Sequence, residues 1–400
     1  MVKRVEIQVT SKILRWARSQ AGFSLSQAAT RAKIHDLKIT NISAEERLQS
    51  WEKGPEGPTL NELRSLAKAY RRPLLTFFLP EPPEPSPKLE DFRTIGDRPV
   101  LTTSPELSAF IRQTQVLQEA LSEIIKDEGA KPLAFVGSIT SEYSPKIIAQ
   151  SIREIIDFSF SDQEKLSQKE QLFNIIRSKI EDIGIFVLRK ADLGSHHSKI
   201  SVDEFRGLTI SDEYAPFIIV NPSDAISALI FTLIHEFAHL LLGDSGISNS
   251  NIFNISNPDQ LEREILCNKV AAEFLVPESK LLEGYDILNA GDISATIDLL
   301  SDTFKVSRIV IGRRLLEYDL IDNTTYWQLY EEWMLSWNTR RNKYSQESKG
   351  PGYFVNTKSK LGKKLLRTVL GAAYDGRLSY LDASKLLNIK VNNFNEFVMA

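Results

Sequence analysis

The sequence has little cysteine and little histidine. Only one of its 400 residues is cysteine, Cys267, so no disulfide can form within the chain and a reducing compartment is expected. The first residues, MVKRVEIQVT, lack the apolar segment of a secretion signal. The most apolar stretch, 226–242, contains three ionisable residues and is therefore a poor membrane span. These absences predict a cytoplasmic protein that has no membrane partner.

The net charge is also small, at −3 for the whole chain, but it is unevenly distributed. Residues 1–80 contain 14 Lys/Arg and 7 Asp/Glu, a net charge of +7, so the remainder of the chain carries −10. A basic N-terminal region on an acidic body indicates either a module that binds a polyanion or a solvated basic surface without a partner. Charge alone leaves both interpretations open.

The N-terminal region, residues 11–80, has the apolar spacing of short helices. Ser24, Ser43 and Thr59 precede three of these helices and are expected to be their N-caps. Five prolines follow between Pro80 and Pro87. Because proline fixes φ and removes a hydrogen-bond donor, this density predicts an extended linker and a domain boundary.

Downstream of the linker the pattern predicts helices, then strands, then helices again. Three strands are expected at 183–189, 205–210 and 216–220, followed by a long helix that ends at Leu242 and is capped by Ser223 or Asp224. The fold class is therefore α+β and mainly helical, with a small sheet. The predicted domains are a helical domain at 1–80, the linker at 81–104, a helical connector at 105–180, an α+β domain at 181–321 and a helical region at 322–400.

The long helix contains the motif His235-Glu236-Phe-Ala-His239. Residues four apart lie on the same face of an α-helix, so both imidazoles can reach one cation. Glu236 lies about 100° further around the helix, beside such an ion, where its carboxylate can accept a proton from an activated water. The alternative is a core helix with two hydrogen-bonded histidines and no metal.

A catalytic zinc site needs a third protein ligand, and the segment QLEREILCNKVAAEFLVP offers one. Glu264 follows His239 by 25 residues, which leaves room for a loop and a returning helix. Asn268, one turn further on, is expected to hydrogen-bond a ligand histidine. Glu262 and Glu273 compete with Glu264 as carboxylate ligands, and the alternative is that Glu264 is a solvated helix charge.

The two motifs together, HEFAHLLLG and the later ExxxNxxAAEFLVP, resemble the ImmA/IrrE family of metallopeptidases. This resemblance implies a zincin-like core with Zn²⁺ bound by His235, His239 and Glu264, and with Glu236 as general base. Mn²⁺ or Fe²⁺ could occupy the same ligands. Family members are associated with the cleavage or inactivation of XRE-type repressors and with toxin–antitoxin modules.

The N-terminal segment LQSWEKGPEGPTLNELRSLAKAY is similar to XRE-type helix-turn-helix domains, which implies binding to double-stranded DNA. Two features depart from that pattern: the connection HDLKITNISA is long, and the expected recognition helix begins with Glu45 and Glu46, which repel phosphates. The alternative is a helical module that binds a protein. The residues expected to contact nucleic acid are Arg47, Gln49, Lys53, Arg31 and Lys33.

The sequence therefore predicts a zinc endopeptidase that cleaves or inactivates a regulatory protein and is fused to a DNA-binding domain. Its expected partner is an XRE-type repressor or a toxin. The alternative is a transcriptional regulator or antitoxin whose peptidase-like domain binds a partner without hydrolysis. The oligomeric state, the substrate and the activating signal are left open.

Overall fold

The structure is a computed structural model, and it divides into two compact units. Unit 1 comprises Met1–Lys88, Val100–Gln115 and Asp192–Ile200, whereas unit 2 comprises Leu89–Pro99, Val116–Ala191 and Ser201–Ala400. The residues described are 7–37, 41–54, 56–83, 90–91, 94–95, 98–99, 104–194, 198–248, 258–288, 291–344 and 352–398. Much of the predicted linker, including 84–89, lies outside the described residues.

Unit 1 is built from short helices that begin at the N-caps expected from the sequence. Ser24, Ser43 and Thr59 each close a capping box, in which the hydroxyl accepts a backbone N–H and the side chain three residues later accepts one in return. The helices are α1 (Ser11–Gln20), α2 (Leu25–Arg31), α3 (Ala44–Lys53) and α4 (Leu60–Ala69), followed by a 3₁₀ helix at Leu74–Phe78. Their apolar faces enclose a core that includes Leu14, Leu66 and Phe77.

Unit 2 contains a five-stranded mixed sheet with the order β1-β7-β5-β6-β4. Its strands are β1 (Glu90–Asp91), β4 (Phe186–Arg189), β5 (Gly207–Ile210), β6 (Phe217–Val220) and β7 (Gly246–Ser248), and a separate hairpin pairs β2 (Thr94–Ile95) with β3 (Arg98–Pro99). Strand β5 is antiparallel to both neighbours, whereas β4 is parallel to β6 and β1 to β7. The sequence predicts β4, β5 and β6 but neither β1 nor β7.

Helices make up most of unit 2. They are α5 (Pro105–Asp127), which begins in unit 1, α6 (Pro145–Ile155), α7 (Phe160–Glu164), α8 (Lys169–Asp182), α9 (Ile226–Leu242), α10 (Pro258–Leu275), α11 (Glu278–Leu288), α12 (Ile293–Phe304), α13 (Arg308–Glu317), α14 (Asn323–Tyr344), α15 (Tyr353–Leu361), α16 (Lys363–Tyr374), α17 (Tyr380–Leu387) and α18 (Asn395–Val398). The protein is thus mainly helical with a small sheet, which confirms the predicted α+β class.

Helix α9 is the central helix of unit 2. It packs on β5 and β6 and against α8 and α10, and every side chain from Thr232 to Leu241 is buried. A helix that is apolar on all sides belongs in a core, and each fully buried Leu, Ile or Phe contributes about 1.5–3 kcal/mol. The two histidines and the glutamate of the motif are therefore held inside this core.

The start of α9 corrects the predicted cap. Its N-cap is Ala225, which has no side-chain capping bond, rather than Ser223 or Asp224. The Asp224 carboxylate instead accepts the N–H of Ala225 and binds Arg206 at 2.8 Å. At the other end, Gly243 adopts the left-handed conformation with φ 76° and terminates the helix.

The C-terminal end of α10 is fixed by side chains from other helices. Arg153 of α6 donates to the carbonyl oxygen of Phe274 at 2.5 Å, and Gln163 of α7 donates to that of Leu275 at 2.9 Å. These bonds satisfy carbonyls that have no partner within the helix. Helix α10 is consequently held in place along the core beside α9.

The helices after residue 352 close one edge of the sheet. Helices α15 and α16 pack on β4, and Arg177 of α8 donates to the carbonyl oxygen of Ser359 at 2.6 Å. The Glu181 carboxylate accepts the N–H of Lys363 at 3.2 Å. Within the described part of the chain, no helix combines the length and the apolar character needed to cross a membrane.

Candidate metal centre

Helices α9 and α10 bring three potential ligands together. His235 and His239 lie one turn apart on α9, with their Nε2 atoms 3.1 Å apart. Glu264 of α10 places Oε1 2.9 Å from Nε2 of His239 and Oε2 3.3 Å from Nε2 of His235. One ligand atom from each residue lies within 4.8 Å of the others, and all three residues are buried.

The chemistry of this cluster fits a bound divalent cation. Two imidazoles and one carboxylate form a common donor set for catalytic zinc, with a fourth position left open. Among the described residues, the buried Oε1 of Glu236 has no hydrogen-bond partner. Because a buried carboxylate without a partner is costly, a cation between these side chains is the natural compensation.

Glu236 is fully buried beside the three ligand atoms, where strand β5 holds it. Its Oε2 accepts the Thr209 hydroxyl at 2.6 Å. Its Oε1 lies against Gly207, where an added Cβ would be 1.9 Å away. Burial raises the pKa of the Glu236 carboxyl, although electrostatic attraction to the two histidines and the Thr209 hydrogen bond oppose that shift. The carboxylate is thus fixed in position and made more basic than a solvated one.

The charge state of Glu264 is set by its two histidine neighbours. Burial alone would raise its pKa, but electrostatic attraction to His235 and His239 and hydrogen bonds with them lower the pKa to about 2. Glu264 is therefore ionised at neutral pH, as a metal ligand must be. Cys267 is a buried thiol near His239 whose pKa is raised by burial.

A carboxylate that the sequence did not predict lies beside His239. Asp244 places Oδ2 3.5 Å from Nδ1 of His239. Asn268 is half-buried on α10, and its hydrogen bond to a ligand histidine stays a prediction. Asp244 follows the helix terminator Gly243 directly, and this position is the only sequence signal that could have identified it.

The competing carboxylates lie elsewhere. Glu262 is exposed on α10. Glu273 forms a buried ion pair with Arg314 of α13. Glu264 is therefore the carboxylate of this segment that faces the histidines.

This geometry agrees with the comparison of the chain with known families. Residues 180–316 match the family model of the IrrE N-terminal-like domain, a peptidase M78 model. The match covers α9, α10 and all three candidate ligands, and it indicates a metallopeptidase-type domain with a metal cofactor. Residues 361–399 match a second model, described as a domain of unknown function. A search of curated proteins gives no match.

The IrrE-like match begins at residue 180 and therefore does not cover the N-terminal helices α1–α4, where the structure corrects one predicted nucleic-acid contact. Arg47 is only 6% exposed. Its guanidinium donates to the carbonyl oxygen of His35 and to the Glu62 carboxylate, and it lies 5.1 Å from the centre of the Trp51 ring. Arg47 therefore links α3 to its neighbours inside unit 1 and is not available to a phosphate.

The other four residues predicted to contact nucleic acid are exposed. Lys33, Gln49 and Lys53 lie on the surface of unit 1. Arg31 is also exposed, with its guanidinium 5.4 Å from the centre of the Phe23 ring and 3.3 Å from the Glu106 carboxylate. Exposed ion pairs are weak, so the Glu106 contact leaves Arg31 able to exchange partners.

Proposed function

We propose that the protein is a zinc-dependent endopeptidase that cleaves or inactivates a regulatory protein. The observation that carries this proposal is the convergence of His235, His239 and Glu264 beside a buried Glu236 with one unpaired oxygen. The resemblance to ImmA/IrrE supports a repressor-type protein or a toxin as substrate.

Different residues of the chain would bind the ion and transfer the proton during peptide hydrolysis. His235, His239 and Glu264 would hold the ion, which when bound polarises a carbonyl and activates water. Glu236 accepts a proton from the attacking water at its free Oε1 and passes it to the leaving amine. Thr209 holds the other carboxylate oxygen, so that the transfer occurs from one fixed position.

The decisive variant is Glu236→Gln, which keeps the shape of the side chain and removes its basicity. We expect it to bind zinc as the wild type does and to lose about 100- to 10,000-fold in cleavage rate. Zinc content is measured by elemental analysis, and cleavage is measured on a protein that the Gln variant captures in cells. Glu262→Gln, an exposed change on α10, is the control and should cleave normally. Undiminished cleavage by Glu236→Gln would refute the assigned role.

We also propose that unit 1 binds double-stranded DNA through Arg31, Lys33, Gln49 and Lys53. The exposure of these four side chains supports this assignment, whereas the acidic start of α3 favours a protein partner.

If DNA is the ligand, the affinity for promoter DNA should fall steeply as the salt concentration is raised, because phosphate contacts release counterions. A shallow salt dependence that does not change in Lys33→Gln would instead favour the protein-binding alternative.

A further inference from the structure

Asp244 occupies a position that the turn after α9 dictates. Because Gly243 is left-handed, the chain reverses and the N–H of Asp244 donates to the carbonyl oxygen of His239 at 2.9 Å. This reversal brings the Asp244 side chain back toward the last turn of the helix. The residue is only 7% exposed, so its charge is largely removed from water and requires partners.

The two carboxylate oxygens of Asp244 have different partners. Oδ2 lies 3.5 Å from Nδ1 of His239, and Oδ1 accepts from the guanidinium of Arg263 at 2.5 Å. The side chain of Arg263 is 42% exposed, so it supplies a positive charge that remains partly solvated. The carboxylate is thus held on one side by Arg263 and presents its other oxygen to the imidazole.

A carboxylate at Nδ1 determines which imidazole nitrogen carries the proton. When Nδ1–H donates to Asp244, Nε2 carries the lone pair. Nε2 is the nitrogen that lies 2.9 Å from Glu264 and 3.1 Å from His235. The contact therefore orients the ring so that Nε2, the nitrogen that would bind the ion, faces the ligand cluster.

Arg263 also links Asp244 to the third ligand, because Arg263 is the residue directly before Glu264 on α10. The Asp244–Arg263 pair connects the end of the helix that supplies both histidines to the helix turn that supplies the carboxylate. One ion pair therefore fixes both the imidazole of His239 and the approach of α10.

We propose that Asp244 is a positioning residue of the metal centre, which sets the tautomer of His239 and, through Arg263, aligns Glu264. The inference rests on the proposed metallopeptidase function, because it presupposes that these ligands bind an ion. Asp244 acts through the ligands and does not itself touch the reacting atoms.

The test measures metal binding rather than cleavage. Zinc affinity of the full-length protein is determined by competition with a chromophoric chelator, and the visible spectrum of the Co²⁺-loaded protein reports the ligand geometry. We expect Asp244→Ala to weaken zinc binding by about 10- to 100-fold and to alter the cobalt spectrum. Asp244→Asn keeps an acceptor for Nδ1–H and should recover part of that loss. Arg263→Met should cause a smaller loss than Asp244→Ala.

Asp224→Ala is the matched control, because Asp224 is similarly buried, pairs with a half-exposed arginine and lies at the opposite end of α9. It should lower stability without changing zinc affinity. Wild-type zinc affinity and cobalt spectrum in Asp244→Ala would overturn the inference alone, whereas a wild-type protein that binds no zinc would overturn the proposed function as well. If Asp244→Ala does not fold, wild-type binding by both Asp244→Asn and Arg263→Met would overturn the inference.

Discussion

One oxygen of the Glu236 carboxylate, Oε1, packs against the backbone of a glycine. Gly207 of β5 lies directly against its Oε1, and Thr209, two residues along the same strand, binds its Oε2. Successive side chains on a strand alternate between faces, so residues 207 and 209 both face α9. The absence of a side chain at 207 leaves the volume that the glutamate occupies.

The Gly207→Ala variant tests this close packing. The new Cβ would lie 1.9 Å from Oε1, so Glu236 must move although its chemistry is unchanged. We expect cleavage to fall nearly as far as in Glu236→Gln while zinc content is retained, because the three ligands lie on other elements. The cleavage rate and the zinc content are measured as described for Glu236→Gln.

Gly371→Ala provides the matched control. Gly371 lies within α16, and nothing is found within 4 Å of its added Cβ. That variant should be fully active and more stable by about 0.5–1 kcal/mol, because alanine loses less backbone entropy in a helix. Full activity in Gly207→Ala would show that Glu236 tolerates displacement.

At the scale of single residues, the sequence predicts only what one helix or one spacing can show. His235, Glu236 and His239 follow from helical periodicity, and Glu264 follows from its distance along the chain. Gly207, Thr209 and Asp244 meet the cluster through tertiary packing of β5 and through a left-handed turn. No pattern within one element indicates these contacts.

At the scale of the element, the helices of unit 1 were predictable because their ends are local. A capping box involves four consecutive residues, so Ser43 and Glu46 identify the start of α3 without tertiary information. Strand β7 has three residues and β1 has two, too few to show an alternating pattern. The start of α9 was mispredicted because Asp224 binds Arg206, a partner 18 residues away.

The capping box of α3 makes the stability of unit 1 dependent on pH. Glu46 accepts the N–H and the hydroxyl of Ser43, each at 2.8 Å, and these bonds lower the pKa of the carboxyl from its usual 4.5. A carboxyl with a lowered pKa contributes stability above its unfolded pKa, and that contribution is lost as pH falls through the folded pKa.

The Glu46→Ala variant should therefore unfold at a lower temperature than wild type at neutral pH. The difference should narrow as the pH falls below about 4.5, the usual pKa of this carboxyl. Thermal unfolding followed by circular dichroism across this range provides the measurement. The control is Glu45→Ala, which removes the same charge one residue earlier, outside the capping box. Its unfolding temperature should differ less from that of wild type at every pH. If the difference in unfolding temperature between wild type and Glu46→Ala grew as the pH fell, the assignment of the cap would be contradicted.

At the scale of the whole molecule, the region matched to a domain of unknown function is part of unit 2. Its first helix, α16, packs on β4 together with the preceding helix α15. The buried pair Arg177 and Glu181 bonds to the backbone of Ser359, just before this region, and of Lys363 within it. Sheet edges that lose their cover expose unpaired backbone groups and tend to associate. This region is therefore expected to stabilise the metallopeptidase-type domain.

A chain that ends at residue 351 should be less stable and less soluble than the full chain. The deletion would expose Arg177, Glu181 and the β4 edge, all of which are now covered. Urea unfolding and size-exclusion chromatography provide the measurement. The control is Leu381→Ser, which changes a side chain that is 63% exposed in the same region. This variant should keep the stability and the solubility of the full chain. A shortened chain as stable and monomeric as the full one would contradict this structural role.

The cover of β4 also affects the order of events during synthesis. His235 and Ser359 are 124 residues apart, so at about 10 residues per second the metal-binding helix emerges from the ribosome roughly 10 s before the segment that closes its sheet. The metal-binding helix is therefore made well before the residues that cover β4, and its sheet is closed only once residue 359 has been synthesised.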